Sequence, residues 1–237
     1  MDHVGLVESG GVSRGLRDML PAALGAVPLG LAFGVLVTHT GLAWWWGTVF
    51  ASVVFAGSFE FLLLGLVMAV APLSQIAVTA FLVNFRHVFY ALSFPLHRVR
   101  GAGAKVYSTF ALTDEAWALT ASPGAREWSR GRILAIQGGF HVVWVASVTA
   151  GGLVGNLVPE GVHGLGFALT ALFLVLGIDA YRVRRRLPAP IAAVVCAVVA
   201  GALFGEGMLV GAMGLFTGYL VVTFLVERRR GRRGRRA

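Results

Sequence analysis

The sequence predicts an all-α membrane protein of about seven transmembrane helices, with at least one segment broken or re-entrant. Three observations carry this expectation. Of 237 residues, 57% are hydrophobic and only 13% charged, against roughly one quarter charged in a soluble domain. A compact water-soluble fold must still clothe its outside with polar groups, and this chain has too few. Apolar runs near the length of about twenty residues that crosses roughly 30 Å of hydrocarbon recur along the chain. Lysine and arginine mostly fall in clusters between and after those runs, the pattern of cytoplasmic membrane connectors.

The first run, residues 20–39, carries Pro21, Pro28 and Gly30. Gly25, Gly30 and Gly34 are of the small-xxx-small kind that lets membrane helices pack closely. Proline and glycine together also fit a helix interrupted near a binding site, so both readings stand. The second run, 44–70, opens on the interfacial belt Trp44-Trp45-Trp46 and is long enough to be tilted or broken. The third, 73–95, holds Arg86 and His87 midway. The fourth, 133–157, has Gln137, His141, Trp144 and Ser147 at three- and four-residue steps, a polar stripe that lines a path or glues helices. The fifth is 163–181. The sixth, 190–205, is short, and Gly205-Glu206-Gly207 turns the chain into the seventh, 208–226.

These runs define a polar N-terminal segment (1–18), a single transmembrane domain (19–227) and a basic C-terminal tail (228–237). The first eighteen residues have no apolar signal core, so the first apolar helix is expected to be the targeting signal. The single cysteine, Cys196, forms no internal disulfide and reads as a small buried hydrophobe. Net charge is +9, yet the basic clusters lack the interleaved aromatics that stack bases, which argues against nucleic acid. The tail's arginines instead suit a cytoplasmic anchor on anionic lipid.

Orientation follows from the basic clusters at 98–105, 126–132, 182–186 and 228–236. They share one side only if the first three runs end in the cytoplasm. Seven full crossings then place the N-terminus outside and the C-terminus inside, the arrangement favoured here. The rival has a cytoplasmic N-terminus and makes 44–70 a re-entrant pair of half-helices. Either way the apolar stretch 107–121, inside the long connector 96–132, starts and finishes on the cytoplasmic side and is re-entrant or interfacial.

Charged groups at hydrocarbon depth are costly, about 2.5–3.5 kcal/mol each on insertion scales, and so mark cavities or partners. Glu60 lies deep in the second run, after Gly57 and Ser58, which allow a backbone break whose freed groups meet a substrate. Burial favours its neutral form, which would exchange a proton when water enters, the property a proton-coupled carrier needs. The alternative is a hydrogen-bonded glutamate joining two helices. Arg86, flanked by Asn84 and His87, keeps its charge and needs an anionic partner: Glu60, Asp114 or a substrate carboxylate. Asp114 and Glu115 point about 100° apart on a helix, so one faces Arg86 or a cavity while the other caps or is solvated. Thr113 as N-cap of an amphipathic cytoplasmic helix is the plain alternative. Phe55, Phe59 and Phe85 would offer apolar surface to an aliphatic side chain. No spacing of a catalytic motif is present, so no enzyme activity and no cofactor or metal is expected.

Five motifs in order resemble the AzlC family, the large subunit of bacterial branched-chain amino acid exporters. They are Leu20-Pro21 with Pro28-Leu29-Gly30-Leu31-Ala32-Phe33-Gly34; Phe55-Ala56-Gly57-Ser58-Phe59-Glu60-Phe61; Val83-Asn84-Phe85-Arg86-His87; Leu112-Thr113-Asp114-Glu115; and Gly166-Phe167-Ala168-Leu169-Thr170-Ala171-Leu172-Phe173. The resemblance implies proton-driven export of leucine, isoleucine, valine or related solutes such as methionine from the bacterial plasma membrane. It also implies a small partner of the AzlD type with about four helices. The family usually has glutamine where this chain has Glu60, so proton coupling at Glu60 is not implied by it.

Overall fold

The computed structural model describes residues 10–120, 123–159, 188–205 and 208–233, together with Leu174. Among these there is no strand. The helices are α1 (Gly11–His39), α2 (Trp45–Val53), α3 (Gly57–Met68), α4 (Leu73–Asn84), α5 (Arg86–Ser93), α6 (Ala102–Phe110), α7 (Asp114–Thr120), α8 (Arg130–Gly155), α9 (Pro188–Phe204) and α10 (Met208–Arg233), with 3-10 turns at Leu96–Arg98 and Pro123–Glu127. Gly11–His39, Leu73–Ser93 and Arg130–Gly155 are long and apolar enough to cross a membrane, and Gly57–Met68, Pro188–Phe204 and Val210–Val226 are shorter apolar helices. The fifth run apart from Leu174, and Glu206, lie outside the described residues, as do the side chains of the basic tail. The chain packs as two units, Met1–Val70 with Asn84–Thr170, and Ala71–Val83 with Ala171–Ala237. In the second, α9 and α10 are joined at Gly205 and packed through Gly201 against Met208 and Gly211 against Phe204.

The first unit is built on α1 and α8. Gly11 lies against Ser129, Gly15 against Arg132, Gly30 against Ser147 and Gly34 against Val148, while Thr38 meets Gly155. These pairs advance together along both helices, so the helices run parallel. At Gly34 and Gly151 the approach is backbone to backbone, onto the Val148 and Leu31 carbonyls, and any Cβ would push the helices apart. The seam is fastened at one end by Arg132 on Asp18, 2.8 Å from both Nε and Nη2. At the other end His39 Nε2 lies 3.2 Å from the Gly155 carbonyl.

This seam corrects the favoured orientation. α1 begins beside the start of α8, where Arg126, Arg130 and Arg132 stand, and not at the opposite end. The physical reason is that the second run is no simple crossing. The Trp44 backbone packs on Gly152, and Thr48 hydrogen-bonds Thr149 at 2.8 Å. By Phe55 the chain has descended to Phe140 and His141. It breaks there, with Phe55 at φ 46°, a left-handed conformation that is strained for an aromatic residue. α3 then turns back: Gly57 touches the Trp144 ring, and Phe61 reaches Phe33, centroids 4.9 Å apart. Phe33 lies between Gly30, level with Ser147, and Gly34, level with Gly151. α2 and α3 therefore form a helical hairpin, the rival arrangement. The first helix also begins at Gly11, well before the expected Leu20.

The long connector forms a second hairpin from the opposite end. Arg98 donates from Nε to the Trp128 carbonyl and from Nη2 to the Glu127 carbonyl, both at 3.1 Å, which ties the start of the excursion to its finish. α6 climbs until Tyr107 meets His141 at 3.3 Å and Ser108 donates to Gln137 Oε1 at 2.7 Å. The chain then breaks at 111–113, and α7 returns. Thr113 is the N-cap that one reading expects, its Oγ1 accepting the Ala116 N–H at 3.3 Å. Phe94, Val99, Leu112 and Ile133 form the small core beneath.

Candidate functional site

The tips of the two hairpins meet beside α8. Phe55 from the first stacks on His141 at 4.1 Å and packs against Phe110 from the second, centroids 6.0 Å apart. Two further contacts join them through a third segment. Arg86, the first residue of α5, donates from Nε to Asp114 Oδ1 at 2.9 Å and from Nη2 to Ser58 Oγ at 3.0 Å. Ser58 stands in the first turn of α3 and Asp114 opens α7, so one guanidinium spans both tips. Of the partners the sequence allows for Arg86, the structure selects Asp114. The two charged side chains are 34% and 30% exposed.

His87 completes the group. Its Nδ1 donates to the Asn84 carbonyl at 2.9 Å, which leaves Nε2 turned to Asp114 at 4.0 Å. Tyr90 sits edge-on to His87 and stacks on Trp117 at 4.6 Å, and Trp117 donates to Ser93 at 2.8 Å. Asn84 thus enters the site through its main chain. Glu115 turns back toward its own cap at Thr113, as expected of two adjacent acids on different faces. Among the described residues, no three histidine, cysteine, aspartate or glutamate side chains form a group that could hold a metal.

Glu60 stands apart. It is fully buried, and its Oε1 accepts both the Ala56 N–H at 2.9 Å and the Trp144 Nε1–H at 3.1 Å. By reaching back to the residue before its own helix it does what the glutamate of a capping box does. It satisfies an amide that the break sets free, and it anchors the tip to α8. The mirror device serves the other tip. Gln137, also buried, donates from Nε2 to the carbonyls of Ser108 at 2.7 Å and Ala111 at 3.1 Å, where α6 ends. Two members of the α8 polar stripe are therefore glue for the breaks.

The sequence reading missed Trp144 and Gln137 as partners of the tips. A signal was present, since an indole N–H and an amide at hydrocarbon depth each need a partner. The apolar lining expected of three phenylalanines is corrected. Phe55 and Phe59 are 4% and 6% exposed and fill the core, because the tips close on them, while Phe85 is 39% exposed and packs edge-on to Phe89.

Parallel apolar helices, flanked by opposed hairpins with polar tips, define a polytopic helical membrane protein with a charged group in its interior. It belongs to the AzlC family: the family profile, described as AzlC protein, matches residues 21–158, which span α1 to α8. The chain is 29% identical to the branched-chain amino acid transport protein AzlC of Bacillus subtilis (strain 168), over 86% of this chain and 81% of that protein. It is 31% identical to an uncharacterized membrane protein of Helicobacter pylori (strain ATCC 700392 / 26695), over 81% of this chain and 87% of that one. It is 26% identical to the inner membrane protein YgaZ of Escherichia coli (strain K12), over 81% and 80%. No solved structure matches.

Proposed function

We propose that this chain is a secondary transporter that exports branched-chain or related amino acids across the bacterial plasma membrane. It is driven by the proton gradient and works with a small four-helix AzlD-type subunit. The observation that carries the reading is Arg86 held between the tips of two opposed hairpins. A carrier needs a binding group that can face either side in turn, and broken helices place such groups at mid-depth in transporters. Movement of the α2–α3 tip would open Arg86 toward one side, and movement of the α6–α7 tip toward the other. The name of the Bacillus subtilis relative supports the substrate class.

In this mechanism Arg86 takes the substrate carboxylate, in the forked geometry that guanidinium offers. Ser58, His87 and Asp114 line the same place, and Gly57 gives the first tip its close fit on Trp144. Glu60 has a structural part. One of its oxygens accepts both N–H groups, so a glutamine could do the same, in keeping with the family's usual residue. The proton path is therefore not assigned to Glu60. The C-terminal arginines would hold the tail on the anionic cytoplasmic leaflet, which places the C-terminus inside.

The test is accumulation of leucine, valine and methionine in cells with and without this chain and its genomic neighbour. Export that depends on both, and is lost in Arg86→Ala with the protein still in the membrane, is the expected result. Unchanged export of every amino acid by Arg86→Ala overturns the assignment.

A further inference from the structure

We propose that the Arg86–Asp114 ion pair is an exchange latch opened by a zwitterion: the ligand's carboxylate replaces Asp114 on Arg86, and its ammonium is taken up by the Asp114 carboxylate so released. This deepens the transport reading and rests on it. It assigns Asp114 a direct part in specificity.

The geometry supports an exchangeable pair. A structural ion pair inside a membrane protein is expected to be forked and fully satisfied. Here only Nε meets Asp114, while Nη2 goes to a neutral serine. These contacts use two of the five guanidinium N–H groups, and about a third of each charged side chain is exposed.

Charge balance then fixes the ligand class. Arg86 and Asp114 neutralise each other in the closed pair. A zwitterion separates them and leaves each with a new counter-ion, so no charge is left alone. A simple carboxylate would satisfy Arg86 and leave Asp114 with the neutral Tyr90 hydroxyl but no counter-ion, and a simple amine would leave Arg86 with the neutral Ser58 hydroxyl but no counter-ion. Stranding one member of a partly buried pair is the costly outcome. Asp114 and Ser58 belong to opposite tips, so the same exchange loosens the bridge between the hairpins. Binding and opening become one event, and neither half of the ligand is sufficient.

The experiment is competition binding on the full-length protein purified from membranes with any small subunit that co-purifies. Labelled leucine is displaced by leucine, by 4-methylpentanoate, which lacks the amine, and by 3-methylbutylamine, which lacks the carboxylate. In the wild type both analogues are expected to compete at least about tenfold more weakly than leucine. Asp114→Asn should narrow the advantage of leucine over 4-methylpentanoate by about tenfold or invert it, whereas Asp114→Glu should keep the wild-type order. Equal competition by the acid in the wild type, or an unchanged ratio in Asp114→Asn, overturns the inference while leaving the transport reading in place. If Asp114→Asn does not fold, the wild-type analogues and Asp114→Glu decide. A wild type that binds no amino acid overturns both.

Discussion

Along the α1–α8 seam the chain brings backbone against backbone through glycine, with polar fastenings only at the ends. At the hairpin tips side chains do the holding: a guanidinium, two carboxylates, an amide, an indole and a serine hydroxyl join three broken segments. The seam has no spare volume and few alternative arrangements, because small-residue contacts tolerate neither a shift nor a side chain. The tips have a strained Phe55, short helices and partly exposed charges. Local instability of this kind is where moving parts are found. In the proposed mechanism this difference becomes a division of labour, a fixed parallel pair against which two hairpins move.

Substitution at the seam should produce the largest loss. Gly34→Leu forces a side chain into the Val148 carbonyl and the Gly151–Gly152 backbone, where overpacking costs about 1–3 kcal/mol or more. The expected outcome is little folded protein in membranes, read by fluorescence size-exclusion of a tagged chain. Wild-type yield from this variant would break the distinction between a rigid seam and mobile tips.

At the tips the expected effect is on transport, with folding largely kept. Arg86→Ala strands Asp114, whose pairing is partly screened at 30% exposure. The variant should therefore reach the membrane, with export down by at least about tenfold. Glu60 sharpens the contrast, because it belongs to the tip yet works as a fastening. Glu60→Gln should keep most export. Glu60→Leu leaves the Ala56 and Trp144 N–H groups without an acceptor, about 1–3 kcal/mol for each, and should lower both yield and export. Loss of export in Glu60→Gln with normal yield would return Glu60 to the proton path.

How much of this was legible from the sequence depends on the range of the interaction. The break near Gly57-Ser58 was legible, the Thr113 cap was one of two readings, and the re-entrant return of the connector was one of two as well, because each is written in neighbouring residues or in the flanking charges. The Arg86–Asp114 pair was narrowed to a few partners, because an intramembrane arginine demands an anion and few exist. The direction of α3 was not legible. A broken 44–70 segment that continues and one that turns back have the same composition, and only the contacts of Gly57 and Phe61 with Trp144 and Phe33, distant in sequence, separate them. The parallel run of α1 and α8 was hidden for the same reason. Gly34 and Gly151 each announce close packing without naming a partner, so counting basic residues favoured the wrong end for α1.

The smallest expected effect tests that end. Asp18 and Arg132 fasten the seam where both helices start, and a partly exposed pair contributes only about 0.2–1 kcal/mol. Asp18→Asn should therefore leave yield and export close to wild type. The geometry at this end is checked more directly by labelling. In a Cys196→Ala background, Ser13→Cys and Glu127→Cys should react with a membrane-impermeant maleimide from the same side, since both positions are exposed at the shared end of α1 and α8. With the basic clusters inside, that side is the cytoplasm, and neither should react in intact cells before lysis. Labelling from opposite faces would show that the two helices do not run parallel, and with that the opposition of the two hairpins would be lost.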